Sequence, residues 1–115
     1  MNDTGRVSLP HHRLIAYSVA KELLVAVVGA QIRDAELRDQ ATRAAKSAVL
    51  NVAEGASRVT PKDKARAFAI GRGEASEAAA AVEIAVLLGS ASQRSSDEVN
   101  AIAHRLCGML TRLCR

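Results

Sequence analysis

Three groups of residues carry side chains whose types and spacing could do chemistry. His104 and Cys107 stand three apart, the spacing of two metal ligands on one helical turn. No second pair completes a zinc set, because the remaining cysteine, Cys114, lies seven residues beyond Cys107, about 10 Å of rise if both share a helix. That distance also forbids a disulfide between the two, so both cysteines read as small, buried, reduced thiols. Asn51 and Glu54 form the second group, three apart and directly before Gly55 in the stretch SAVLNVAEGASR, where a buried helix gains nothing from polar residues. Without a histidine or nucleophile beside them they read as hydrogen-bonding groups, not as an acid–base pair. The third group is basic: Arg58, Lys62, Lys64, Arg66 and Arg72 fall within sixteen residues that hold a single acid, Asp63. Such a run is either a solvated surface or a patch for phosphates or an acidic protein.

The elements that must position these groups are helical. The 115-residue chain has the size of one domain, with residues 1–9 read as a loose tail and 10–115 as the folded unit. It is 49% hydrophobic with one Tyr, one Phe and no Trp, so its core is built from Ala, Val, Leu and Ile. Two prolines and seven glycines leave long stretches without a breaker, which gives an all-α class. Four helices follow from the periodicity. The first begins between Pro10 and Leu14 and stops at Gly29; the second runs from about Ala35 to Gly55 with a polar stripe of Gln40, Arg43, Ser47, Asn51 and Glu54. The third has Thr60 as N-cap, Pro61 at the first helical position and Asp63 as a capping acid, and Gly89 ends it near Leu88. The fourth opens with Ser95 and Glu98 at capping-box spacing. Short connections make this an antiparallel up-down four-helix bundle.

Two features sit badly with a lone bundle. The first helix and the third past Ala75 are apolar around most of their circumference, a surplus that self-association would cover. The third helix also carries Lys62, Lys64 and Arg66 in its first turns, where the macrodipole disfavours cations by about 0.3–1 kcal/mol each. Gly71 and Gly73 inside it each cost about 1 kcal/mol relative to alanine, and close helix packing is the expected compensation. GRGEAS is no phosphate-binding loop, since no strand precedes it and no fingerprint is complete.

No cofactor and no catalytic constellation is expected. The net charge of +4 suits an acidic partner, though solubility alone also explains it. So few aromatics argue against base stacking, and any nucleic-acid binding should be backbone-directed and salt-dependent. The first residues lack a signal-peptide core, and LLVAVVGA is too short to span a bilayer, so the expectation is a cytoplasmic chain with no membrane contact.

The chain resembles the four-helix bundle proteins named for intervening sequences of bacterial 23S ribosomal RNA genes, and their relatives the accessory variability determinant proteins of diversity-generating retroelements. The resemblance rests on LRDQATRAAKSAVLNVAEGASR (37–58), IGRGEASE (70–77) and LIAYSVAKEL (14–23), with NVAEG the most specific part. Asn51, Glu54, Gly55, Gly73 and Glu77 are its signature positions. The chain departs from the pattern at Tyr17, Val49 and Ala78 to Ala81, where the family often has Trp, Pro and larger residues. The resemblance implies a homopentameric ring with a basic surface, on which five chains at +4 pool their charge. It also implies RNA or DNA, and a reverse transcriptase, as partners. The expected contact residues are Arg38, Arg43, Lys46, Arg58, Lys62, Lys64, Arg66 and Arg72. The alternative is a protein–protein assembly module without nucleic-acid contact. Glu54 is expected to pair with Arg72 or Arg43, Asn51 to bond a neighbouring helix or loop, and Gly55 to let the chain leave its helix in a left-handed turn.

Overall fold

The computed structural model describes residues 7–115. The first six residues of the expected tail lie outside the described part, and Val7, Ser8 and Leu9 are exposed. A short 3-10 helix, Pro10–Arg13, leads into four α-helices: α1 (Ile15–Gly29), α2 (Ala35–Ser57), α3 (Pro61–Leu87) and α4 (Gln93–Leu113). They alternate in direction. α1 and α3 each lie beside α2 and α4 and meet one another only slightly across the diagonal, so the four form the corners of a square bundle.

The starts of α2, α3 and α4 each have a local cause. Asp34 accepts a hydrogen bond from the Leu37 amide at 2.9 Å and caps α2; Thr60 accepts from the Asp63 amide at 3.1 Å and caps α3, with Pro61 at its first position. Thr60→Ala should lower stability by about 1 kcal/mol, read as a shift of the denaturant midpoint without a change in slope. α4 begins earlier than the capping-box spacing suggests. Ser92, not Ser95, is its N-cap, accepting from the Ser95 amide at 3.1 Å. The pattern misleads because Ser95 serves as the N3 residue of this cap: its side chain receives the Ser92 hydroxyl at 3.0 Å. At the other end of α3, Gly89 adopts φ 70° and turns the chain out of the helix, as its position suggests. Gly29, by contrast, is the last helical residue of α1, and the left-handed turn falls on Gln31 with φ 48°.

The core is mostly alanine. Ala41, Ala44, Ala45 and Ala48 of α2 face Ala75, Ala78, Ala81 and Ala85 of α3, all buried, so these two helices pack most closely. Leu23, Val52, Val82, Val99, Leu106 and Leu110 supply the bulk. Gly71 belongs to this contact: a Cβ there would lie 3.6 Å from the Ala48 carbonyl and 3.4 Å from Asn51 Cβ. Tyr17 is half-buried near the start of α1, its ring edge-on to His11 with centroids 4.7 Å apart and Lys21 Nζ 4.8 Å from its centre. Among the described residues no helix is long and apolar enough to cross a membrane.

Candidate nucleic-acid interface

The signature residues of α2 are anchored within the chain, but differently from expectation. Asn51 stays on its own helix, its amide donating to the Ser47 carbonyl at 2.9 Å and the Ser47 hydroxyl at 3.2 Å; the Ser47 hydroxyl in turn donates to Glu74 of α3 at 2.9 Å. The link from α2 to α3 therefore runs through Ser47. Glu54 pairs with Arg58, one turn on, at 2.5 Å, and not with Arg43 or Arg72. The hydrogen bond to Glu54, aided by its charge, holds the Arg58 guanidinium above its usual pKa, so it stays charged at every accessible pH. Arg43 instead meets Glu77 at 3.3 Å, and Arg72 Nε donates to Thr111 at 2.8 Å. Gly55 makes no left-handed exit: α2 continues through Ser57, and Gly55 is buried against the Phe68 ring of α3. Gly73 is not packed, since a Cβ there would meet nothing within 4 Å.

The cations at the start of α3 also acquire a reason. Lys64 Nζ donates to the carbonyls of Gly55 and Ala56 at 3.3 and 3.1 Å, so the charge that opposes the dipole of α3 complements the carboxyl end of α2. Cys107 lies against Ser76, 3.6 Å from its hydroxyl, while His104 is exposed. Among the described residues no three His, Cys, Asp or Glu side chains gather as a metal site.

Of the eight cations expected as contacts, four stand together at one end of the bundle: Arg58, Lys62, Lys64 and Arg66. Arg38 is at the opposite end, bonded to the Ile32 carbonyl at 3.2 Å, Arg43 and Lys46 lie between, and Arg72, bonded to Thr111 next to Arg112, borders the cluster. Sequence reasoning misses the rest of the cluster. The start of α1 and the end of α4 close on the same end: Arg13 and Arg112 line one groove, and Cys114 Sγ meets the Ala65 carbonyl at 3.5 Å, next to Arg66. Among the described residues, Arg13, Arg58, Lys62, Lys64, Arg66, Arg112 and Arg115 thus face only Glu54 and Asp63 there. The opposite end carries Arg33, Arg38 and Arg94 against Asp34, Glu36, Asp39, Asp97 and Glu98. The positive excess of the chain is concentrated at one end.

The model of the 23S rRNA-intervening sequence protein family matches residues 12–112, nearly the whole chain. The chain belongs to that family. No curated protein matches it significantly. The span runs through α1, α2 and α3 and reaches the penultimate residue of α4, so it takes in the SAVLNVAEGASR segment and, Arg115 apart, the cations of the basic cluster. Arg58 and Arg66 border a second groove of about 340 Å³ with Asn51, Glu54 and Asp63.

Proposed function

We propose that this protein is a non-catalytic, ring-forming homo-oligomer that binds the RNA or DNA backbone through the basic ends of its subunits, alone or together with a nucleic-acid enzyme such as a reverse transcriptase. The observation that carries the proposal is the segregation of charge among the described residues: seven cations against two acids at one end, three against five at the other. Backbone recognition needs only such a field and uses no aromatic platform. Arg58, Lys62 and Arg66 remain contacts, joined by Arg13, Arg112 and Arg115. Lys64 acts mainly as a cap for α2.

Assembly is supported by exposed apolar residues on diagonal helices, Ile15, Val25 and Val28 on α1 and Ile84 and Leu87 on α3 with Leu88 directly after it, each between 46% and 83% exposed. Five is the copy number that the family resemblance implies. Two measurements test the proposal. Native mass should be several times 12.1 kDa, the mass of one chain. Affinity for a mixed-sequence RNA should fall steeply and log-linearly with salt, with little dependence on sequence. Assembly without any binding at low salt would leave an assembly module whose partner is another protein.

A further inference from the structure

Two helix faces repeat in the same way, and nothing among the described residues covers either. On α1, Ile15, Ser18, Glu22, Val25 and Gly29 are exposed and alternate in steps of three and four, the spacing of a coiled-coil seam. On α3 the same steps run through Ile70, Gly73, Glu77, Ala80, Ile84 and Leu87, with Leu87 83% exposed. Gly73 costs about 1 kcal/mol inside its helix, and its own chain offers nothing in return. A helix from elsewhere, approaching closely over a residue without a side chain, would supply the compensation. Each seam holds one glutamate, and each is already paired within the chain, Glu22 with Arg105 at 2.8 Å and Glu77 with Arg43 at 3.3 Å. Neither seam therefore presents a bare charge to a partner.

We propose that the α3 seam of one copy seats in the groove between α1 and α4 of a second copy, parallel to α1 and at the same level, so that the copies close into a ring. This rests on the oligomeric reading above and adds which surfaces make the contact. The groove, about 540 Å³, is lined by Ser18, Glu22, Val25, Gly29, Glu98 and Ile102. Glu98 on its rim is exposed and has no partner among the described residues, while Lys21 is drawn over the Tyr17 ring. Beside the upper end of the α3 seam stands the matching cation: the Arg33 guanidinium, bonded to the Gly89 carbonyl next to exposed Leu88. Rim acid and ridge cation meet when two copies stand level.

Contacts between helices fix that level. Glu22 reaches Arg105 of α4, and α4 meets α3 through Cys107 with Ser76 and Asn100 with Glu83. Along these links Val25 lies level with the stretch from Ala80 to Ile84, and Ile15 with Ile70 and Gly73. A contact without rise along the bundle axis gives a closed ring, whereas an offset would give a filament. The two surfaces are not back to back either, since the groove opens on the α1–α4 side and the ridge on the outer face of α3. Each added copy therefore turns. Parallel stacking also places every basic end on one rim.

The test uses two surface variants, Val25→Glu and Ile84→Glu, checked for unchanged helix content by circular dichroism. Native mass should show each alone as a 12.1 kDa chain under conditions where the wild type assembles. Mixed one to one, they should form a dimer of unlike chains, because each keeps the surface that the other has had disabled. An assembly of normal mass in either variant overturns the proposed contact, as does a mixture that stays monomeric. A trap gives an independent reading: Val25→Cys with Ala80→Cys in one chain should cross-link between copies, beyond the wild-type background, in a ladder that stops at the ring size. A wild-type protein that is itself 12.1 kDa is a different failure, that of the ring altogether.

Discussion

Gly55→Ala should destabilise the fold by about 1–2 kcal/mol, lowering the thermal midpoint by roughly 5–10 °C, although alanine is the better helix former. The added Cβ would lie 2.5 Å from Phe68 Cε1, 2.6 Å from Cδ1 and 2.9 Å from Cζ, far inside contact distance. Phe68 is only 4% exposed, so its ring cannot swing into solvent without losing its burial. Overpacking of this kind costs typically 1–3 kcal/mol, and the propensity gain of about 1 kcal/mol offsets part of it. The double change Gly55→Ala with Phe68→Leu should recover part of the loss, since the smaller side chain leaves the space that the methyl needs. If Gly55→Ala alone melted at or above the wild-type temperature, the close contact with Phe68 would not be what selects glycine there.

Lys62→Gln together with Arg112→Gln should weaken RNA binding on the order of tenfold at near-physiological salt and flatten the salt dependence by about one unit of slope for each phosphate no longer neutralised. The two come from different helices and share only the basic end. The comparison that matters is Arg38→Gln with Arg94→Gln, which removes the same charge from the opposite end and touches neither surface proposed to join copies. A loss from total charge alone would be equal in both pairs. The proposed end-on binding requires the second pair to stay within about twofold of wild type, because exposed charges farther away than a Debye length, about 8–10 Å, are largely screened. Equal losses would spread the site over the whole surface.

Helix boundaries are legible in the sequence where they depend on local chemistry. Thr60, Pro61 and Asp63 mark the start of α3, and Gly89 its end, because capping and left-handed turns are settled within a few residues. Reading fails where two local solutions compete, as at Ser92 and Ser95, or where the deciding partner is distant in sequence. Gly55 resembles a helix exit because the ring that fills its place, Phe68, is thirteen residues on and on another helix. The polar stripe of α2 points Glu54 towards another helix, whereas the guanidinium it meets belongs to its own neighbour one turn on, Arg58. The basic end is half legible. Its run from Arg58 to Arg66 is local in sequence, but Arg13 and Arg112 join it only because the bundle brings the start of α1 and the end of α4 to one side.

With one tyrosine and no tryptophan, the protein owns a single useful fluorophore. Tyr17 sits against His11 and Lys21 close to Arg13, beside the surface proposed to meet phosphates. Unlabelled protein therefore carries a built-in optical reporter at the place of interest, and titrations can be followed by intrinsic emission without a dye that would itself add charge or aromatic surface.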